Sequence, residues 1–331
     1  MHIHKRSNVY IFWHGQLKRR KTYINTIAFM LGAIMIVIPG SASAGIGKKI
    51  AEWGNWEIGE AERKRFPDGE MYVRILTEIA GKDVVIVQST TSDEKIIEAL
   101  LLCDAAQEAK ARRIIFVAPY YGYARQDKVF KPGEPISARA IARALSANCD
   151  AFLSVDLHAK TVLQYFTIPA VEVSAIPSIA NFLKEHRVDV LVSPDKGGIS
   201  RVQQASEISG IPYTYINKTR LDAHTVKMEL PEFNFEGKSV AIIDDIISTG
   251  GTIKKACELL KNAGASNVLC ACTHGLFLGN SGTELSKLCN ETAASDTIET
   301  RFSKYSGWRN SKAYIFDGLI MVSGGFDENI H

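Results

Sequence analysis

The 331-residue chain lacks several features that would place it in other classes of protein. Its six cysteines are scattered and form no C-x-x-C pair, which predicts reduced, mostly buried thiols in a cytosolic protein. An apolar stretch at residues 24–38 is shorter than the roughly 20 residues that span a bilayer, so a membrane helix is not predicted. No low-complexity stretch is present, and no Gly-Lys-Ser/Thr follows a glycine-rich turn, which excludes a Walker A loop.

Acidic residues are missing from the first 34 positions, which contain six lysines and arginines. The whole chain has a formal net charge of +3, so residues 35–331 carry 3 − 6 = −3. This mildly acidic body has no overall basic signature for nucleic acid. A hydrophobic content of 46% and a charged content of 23% describe a globular protein long enough for two domains.

The N-terminal segment imitates a secretory signal. Basic residues at 18–21, the apolar stretch and small residues at 41–44 follow the order of a leader and its cleavage site. Cleavage after Ala44, however, would remove residues 35–38, which have the pattern of a first core strand. We therefore interpret residues 1–34 as an extension on a domain that begins near Met35, with a secreted protein of another kind as the alternative.

Strands and helices are predicted to alternate from Met35 onward, as in a parallel α/β architecture. Strands are predicted at residues 35–38, 84–88, 113–118, 151–155, 188–193, 213–216, 239–243 and 268–273. Helices are predicted at residues 93–109, 137–147, 178–185 and 199–209. Residues 114–119 and 190–194 both read as strands that end in proline before a polar loop. This half-repeat predicts two similar domains with a boundary near residue 176.

The stretch 239–252 carries the strongest functional signal. Its first five residues are apolar and β-branched, as in a strand buried on both faces, and Asp244 and Asp245 stand at the predicted strand end. A helix is predicted from about Ile253. The turn between them consists of Ser248, Thr249, Gly250, Gly251 and Thr252. Such a turn before a helix presents N–H groups to an anion, and the carboxylates would meet the hydroxyls of a polyol held by its phosphate.

A turn at residues 65–70 has groups suited to a nucleotide base. Phe66 could stack on a purine, while Asp68 and Glu70 could accept hydrogen bonds from an amine or from ribose hydroxyls. A plain Pro-Asp-Gly turn is the alternative.

The loop at residues 118–127 directly follows a predicted strand. It places three tyrosines beside Arg125, Gln126 and Asp127, an arrangement suited to a base and a triphosphate. Arginine supplies planar, bidentate donors to phosphate. The alternative is an aromatic surface loop with a salt-bridged arginine.

Three further motifs follow predicted strands. His158 ends a Val-Asp-Leu-His run, and Asp195 precedes Lys196 and two glycines whose N–H groups could form an anion nest. Lys218 and Arg220 stand at the root of a polar stretch, residues 221–237, which is predicted to be a flap that closes over phosphates. The alternatives are a structural histidine at His158, a structural turn after Asp195, and ordinary exposed basic residues at Lys218 and Arg220.

In this order, the motifs resemble the ribose-phosphate pyrophosphokinases (phosphoribosyl pyrophosphate synthetases) of the archaeal type over about residues 35–300. The stretch 244–252 alone would also suit a phosphoribosyltransferase. The resemblance implies an α/β fold of two tandem phosphoribosyltransferase-like domains, at residues 35–175 and 176–305. Each would be a mainly parallel sheet flanked by helices.

The resemblance also implies a role for each motif. The positions that match its ATP contacts are Phe66, Asp68, Gly69, Glu70, Arg125, Gln126 and Asp127. The positions that match its ribose 5-phosphate contacts are Arg220, Asp244, Asp245, Ser248, Thr249, Gly250, Gly251 and Thr252. Lys218 and Arg220 match the catalytic pair. His158 and Asp195 match the positions associated with Mg²⁺, the implied cofactor.

The implied reaction transfers diphosphate from ATP to the anomeric hydroxyl of ribose 5-phosphate and releases AMP. A cytoplasmic homo-oligomer, dimer or higher, without nucleic-acid or membrane partners is expected. A phosphoribosyltransferase and a catalytically silent regulatory relative are the alternatives. Two features depart from the family: Lys196 stands where many relatives have histidine, and residues 306–331 form an atypical tail.

Overall fold

The computed structural model of the protein describes residues 10–12, 35–220 and 226–305. Most of the predicted extension at 1–34 and all of the predicted tail at 306–331 lie outside these ranges. The chain divides into two units, with the division between Ser174 and Ala175. Each unit has a mainly parallel sheet flanked by helices, which confirms the predicted fold class.

The first unit is built on a seven-stranded sheet in the order β1-β9-β8-β7-β6-β2-β3. In chain order its elements are β1 (Tyr10–Phe12), β2 (Met35–Pro39), α1 (Ala44–Gly54), β3 (Glu57–Ile58), β4 (Ala61–Arg65), β5 (Met71–Ile75), β6 (Asp83–Val87), α2 (Asp93–Glu108), β7 (Arg113–Ala118), α3 (Ser137–Ser146), β8 (Ala151–Val155) and β9 (Ala170–Val173). The strands of the sheet are parallel apart from β1, which runs antiparallel to β9. β4 and β5 form a separate antiparallel hairpin.

The second unit is built on a six-stranded parallel sheet in the order β11-β10-β14-β15-β16-β17. Its elements are α4 (Ile176–Glu185), β10 (Val190–Ser193), α5 (Ile199–Ser209), β11 (Tyr213–Tyr215), β12 (Asn217–Arg220), β13 (Val226–Glu229), β14 (Ser239–Ile247), α6 (Gly251–Asn262), β15 (Asn267–Gly275), α7 (Ser281–Leu288), β16 (Glu291–Ser295) and β17 (Ser303–Tyr305). β12 and β13 form a hairpin outside the sheet.

The two sheets repeat one plan. In each, the first parallel strand lies between the next strand and the strand that follows the hairpin: β2 between β3 and β6, and β10 between β11 and β14. β10 is therefore the counterpart of β2, and the half-repeat predicted between residues 114–119 and 190–194 pairs the wrong strands. Strand order reverses beside β2 and beside β10, which is where open α/β sheets bind ligands.

Apolar burial explains why the strong strand signals were correct. All five residues of β6 are buried, because helices cover both faces of the sheet. Phe152 stacks on Phe166 with ring centroids 3.9 Å apart in the core of the first unit. The short strands β1, β3, β9, β16 and β17 and both hairpins were not predicted as strands. β4 is polar, and both strands of the first hairpin are half-exposed or exposed, so this hairpin lacks the fully buried pattern of the core strands.

The cysteines depart from the prediction at one pair. Cys103, Cys149, Cys270 and Cys272 are free and buried, and burial raises the pKa of Cys149 to about 12 and that of Cys270 to about 11. Cys257 and Cys289, however, form a disulfide between α6 and the end of α7, with Cα atoms 6.5 Å apart. The prediction of reduced thiols is wrong for this pair, because only the packing of α6 beside α7 brings the two residues together. None of the helices in the described ranges is long and apolar enough to cross a membrane.

Candidate active site

The glycine-rich turn of the second unit lies between β14 and α6, as predicted. Gly250 has φ 74° and ψ 1°, a left-handed conformation that glycine adopts without strain, and α6 begins at the next residue. Ser281 Oγ donates a hydrogen bond of 3.0 Å to the carbonyl of Ser248, and the N–H of Leu278 donates another of 3.0 Å. These contacts hold the turn in place, and the first N–H groups of α6, which lack partners within the helix, are suited to binding an anion.

The carboxylates before this turn lie inside the strand rather than at its end. β14 continues to Ile247, and Asp244 pairs in register with Cys272 of β15. The predicted strand end was too early because the acidic residues interrupt the apolar run while the parallel ladder continues past them. Asp245 is buried, and Asp244 is half-buried.

Arg201 was missed by the sequence analysis. Its guanidinium nitrogens lie 3.7 Å from Asp244 Oδ1 and 3.5 Å from Asp245 Oδ2. Burial and the neighbouring carboxylate of Asp245 raise the pKa of Asp244 well above its usual range, and the charge of Arg201 opposes that rise. Arg201 lies in the first turn of α5, where the helix dipole disfavours a cation, and this unfavourable placement was the signal in the sequence.

The turn after β10 differs from the predicted anion nest. Asp195 Oδ1 itself accepts the N–H groups of Gly197, at 2.9 Å, and Gly198, at 3.3 Å. A Cβ at Gly198 would collide with Ser193 Oγ, which explains the glycine there. The nest prediction is therefore wrong in its occupant, because the side chain of Asp195, two and three residues before these glycines, already accepts their N–H groups.

The β12–β13 hairpin brings Lys218 to both of these turns. Lys218 Nζ lies 3.8 Å from Asp195 Oδ2 and donates to Thr252 Oγ1 at 3.4 Å. The side chain is 30% exposed, so it is open to an incoming ligand. Arg220 ends β12, but its side chain and the start of the predicted flap, residues 221–225, lie outside what the structure describes.

In the first unit, the predicted base-binding turn is the tip of the β4–β5 hairpin. Phe66 is 44% exposed and packs edge-on against Tyr72, with ring centroids 5.9 Å apart. Asp68 Oδ1 accepts the N–H of Glu70 at 3.1 Å, and Gly69 has a φ of 95°. The exposed ring and carboxylates of this tip can contact a base and a ribose.

The predicted triphosphate loop follows β7. Arg125 is exposed, Gln126 accepts a hydrogen bond from Ser137 Oγ, and Asp127 Oδ2 accepts one of 3.0 Å from Thr161. Of the three tyrosines, only Tyr123 is exposed; Tyr121 is buried against Phe152. The sequence pattern did not show that two tyrosines face the core, because a loop has no regular alternation.

The two predicted metal-associated residues lie in different units. His158 is exposed in the first unit and follows Asp156, whose φ of 36° is unusual for a residue other than glycine. Asp195 lies in the second unit. Within residues 35–220 and 226–305, no group of three or more His, Cys, Asp or Glu side chains is placed to hold a metal ion.

Family models match most of the chain. Residues 35–148 match the N-terminal domain of ribose phosphate pyrophosphokinase, and residues 162–298 match the phosphoribosyl transferase domain.

Individual proteins are similar over nearly their full length. A ribose-phosphate pyrophosphokinase of Thermoplasma acidophilum is 37% identical over 85% of this chain and 98% of the relative. One of Methanopyrus kandleri is 39% identical over 82% of this chain and 95% of the relative. The solved phosphoribosylpyrophosphate synthetase of Mycobacterium smegmatis superposes with a TM-score of 0.74, at 28% identity, over 86% of this chain and 99% of that one.

Proposed function

This chain belongs to the ribose-phosphate pyrophosphokinase family, and from that premise we propose that it synthesises phosphoribosyl pyrophosphate. It is an enzyme that transfers diphosphate from ATP to ribose 5-phosphate. The anomeric hydroxyl oxygen attacks the β-phosphorus, the bond between that phosphorus and the oxygen of the α-phosphate breaks, and AMP leaves. Phosphoryl transfer of this kind depends on in-line positioning and neutralised charge more than on covalent help from the protein.

The observation that carries the proposal is the position of Lys218. Its ammonium group lies within 4 Å of both Asp195 and Thr252, so the hairpin, the β10 turn and the phosphate turn converge on one cation. A diphosphate at this point would gain a positive charge together with the donors of a helix N-terminus. We assign Lys218 and Arg220 to neutralising the charge that develops on the transferred group.

The ribose 5-phosphate site is assigned to the turn 248–252 and the carboxylates before it. The phosphate accepts hydrogen bonds from the N–H groups and hydroxyls of the turn. The carboxylates of Asp244 and Asp245 accept hydrogen bonds from the ribose hydroxyls, while Arg201 holds both side chains in place. Burial raises the pKa of Asp244, which means that the protein stabilises its ionised form poorly. Hydrogen bonds from the hydroxyls of a bound sugar would stabilise that form in place of water.

The ATP site is assigned to the first unit. The exposed ring of Phe66 stacks on the base, and Asp68, Gly69 and Glu70 bind its edge or the ribose hydroxyls. Arg125, Gln126 and Asp127 contact the phosphates and the ribose. Domain limits at 35–175 and 176–305, a homo-oligomeric state and a cytoplasmic location stay predictions.

Mg²⁺ fits the second unit better than the first by the chemistry of the available ligands. The ion prefers oxygen and is usually held by one or two carboxylates together with substrate phosphates, and Asp195 offers a half-buried carboxylate beside the proposed diphosphate position. A site completed by phosphates needs no cluster of three protein ligands. His158 is an exposed imidazole, which is a poor ligand for this ion, so its assignment to Mg²⁺ rests on the family resemblance alone. Bound Mg²⁺ would shield the charge of the phosphates.

The proposal is tested by incubating the purified protein with ATP, Mg²⁺ and ribose 5-phosphate while AMP and phosphoribosyl pyrophosphate are measured. Both products are expected only when the sugar phosphate is present. A phosphoribosyltransferase would instead consume phosphoribosyl pyrophosphate when given a base. A silent relative would form no AMP although ligands raise its melting temperature.

A further inference from the structure

A buried carboxylate ties the β4–β5 hairpin to the rest of the first unit. The side chain of Glu98, on α2, is only 1% exposed. Its Oε1 accepts hydrogen bonds from Arg63 Nε at 2.6 Å and from the N–H of Ser41 at 2.8 Å. Its Oε2 accepts one from Gln88 Nε2 at 3.0 Å, and Lys95 Nζ lies 3.5 Å away. One carboxylate therefore joins the hairpin, the turn after β2, the end of β6 and its own helix.

The hairpin needs such a tie. β4 and β5 pair with each other in a two-stranded sheet of their own, so the ladder of the seven-stranded sheet does not hold them. Arg63 is the central link, since its guanidinium also donates to the carbonyl of Ala61 at 3.0 Å and to the carbonyl of Pro39 at the end of β2. Apolar side chains at the base of the hairpin, Ala61, Val73 and Ile75, pack against the core. Arg63 and Glu98 add the buried polar link between the hairpin and the sheet edge.

The carboxylate is suited to this role because it is ionised. Burial by itself raises the pKa of Glu98, but hydrogen bonds from the hydroxyl and N–H of Ser41, with the charges of Arg63 and Lys95, lower it overall. A second ion pair at the hairpin, Arg65 with Glu94 at 3.0 Å, is 44% and 62% exposed. Exposed pairs contribute little, about 0–1 kcal/mol, so the buried contact dominates.

We infer that Glu98 is a positioning residue for ATP: it fixes the hairpin so that Phe66, Asp68 and Glu70 meet the nucleotide. This inference rests on the proposed function, which places the base of ATP at the hairpin tip. Binding groups act only when their supporting contacts hold them in place. Loss of the Glu98 charge would weaken the hydrogen bond from Arg63 to that side chain. The tip of the β4–β5 hairpin would then no longer be held at one position.

The test compares Glu98→Gln with Glu94→Gln, a matched change on the same helix. Glu98→Gln should raise the KM for ATP at least about fivefold, equivalent to about 1 kcal/mol, while the KM for ribose 5-phosphate stays within twofold of the wild-type value. Glu94→Gln should leave both within twofold. Folding is checked by circular dichroism and melting temperature. If Glu98→Gln does not fold, Arg63→Lys retains the charge but loses the guanidinium geometry, and the same selective rise is expected.

Phe66→Ala separates failure of the inference from failure of the proposed site. If Phe66→Ala raises the KM for ATP while a folded Glu98→Gln does not, the inference falls and the proposed site stands. If both KM values rise equally in Glu98→Gln, the residue is merely structural and the inference is overturned. An unchanged KM in Phe66→Ala would remove the base site and the inference together.

Discussion

The hairpins of the two units occupy equivalent places in one repeated plan but are held in opposite ways. In the first unit, Arg63 is bonded at 2.6 Å to the buried carboxylate of Glu98. In the second, Lys218 lies 3.8 Å from Asp195 and is 30% exposed. The cation of the first hairpin is paired closely with a buried carboxylate, whereas that of the second has a longer contact and is partly exposed. We interpret the first as a fixed support for a base and the second as the charge that acts on phosphates.

The buried carboxylates show the same contrast. Burial raises the pKa of Asp83 as it does that of Glu98, but Arg112 and Arg113 outweigh it for Asp83, whose pKa is lowered overall. The pKa of Asp244, with Asp245 beside it, is instead raised well above its usual range. The comparison indicates that the ionised forms of Asp83 and Glu98 are stabilised by the fold, whereas the ionised form of Asp244 is disfavoured. This difference is consistent with the proposal that Asp244 binds the substrate.

The largest expected effect tests the first half of this comparison. Asp83→Asn removes a fully buried carboxylate that Arg112 Nε and Arg113 Nη2 bond at 2.8 and 2.9 Å. We expect a loss of about 1.5–3 kcal/mol in the free energy of unfolding, as for hydrogen bonds to charged groups. Urea unfolding at pH 7 measures it. The KM values should not change at temperatures where the variant is folded. A loss of less than about 0.5 kcal/mol in the free energy of unfolding would contradict a structural role.

The next effect concerns the exposed cation of the second hairpin. Lys218→Ala should lower kcat at least about tenfold, or roughly 1.4 kcal/mol, because the charge developing on the transferred group loses a counter-charge. The melting temperature should hardly change. Lys255→Ala, an exposed lysine on α6, is the control. Unchanged turnover in Lys218→Ala would refute its catalytic role.

A smaller effect is expected for Asp244→Asn. Unlike Asp83→Asn, this change should not lower the free energy of unfolding. Asp244→Asn should raise the KM for ribose 5-phosphate about fivefold, or about 1 kcal/mol, since a carboxyl group that accepts hydrogen bonds from the ribose hydroxyls is replaced by an amide. The free energy of unfolding should stay constant or rise, because the repulsion between two adjacent carboxylates is removed. If stability falls and the KM does not change, Asp244 is structural and the contrast between the units fails.

The smallest effect is in the pH dependence of stability. Asp83 and Glu98 have lowered pKa values in the folded state, so their stabilisation is complete above the unfolded values of about 3.9 and 4.3. It is lost as the pH falls through the folded values. Urea unfolding between pH 6 and 3 should therefore show a decline that is shallower in Asp83→Asn and in Glu98→Gln. Equal slopes in all three proteins would contradict the lowered pKa values.

Local motifs were predictable because their signals lie within a few neighbouring residues. The strand, turn and helix around Gly250 form a continuous stretch, and the apolar runs of β6 and β14 report burial directly. The extent of β14 was not predictable, since Asp244 and Asp245 continue a ladder whose partner strand lies about 30 residues away. Glu98 was missed for a related reason, because it contacts partners on separate elements and nothing adjacent in the chain marks it. Arg201 was missed because its carboxylate partners also lie on another element, and its place in the first turn of a helix was the one local signal.

The amino-acid sequence by itself determined the fold class, the family resemblance and the order of the motifs, because these depend on composition and on short-range pattern. Only the tertiary structure decided which strands of the two units correspond. It also showed that Asp195 accepts the N–H groups of the turn that follows it, and that Cys257 forms a disulfide with Cys289. It also decided which charges are paired within the protein and which are partly exposed. The physical reason is that burial and pairing set the energy of a charge, and both depend on contacts between residues far apart in the chain.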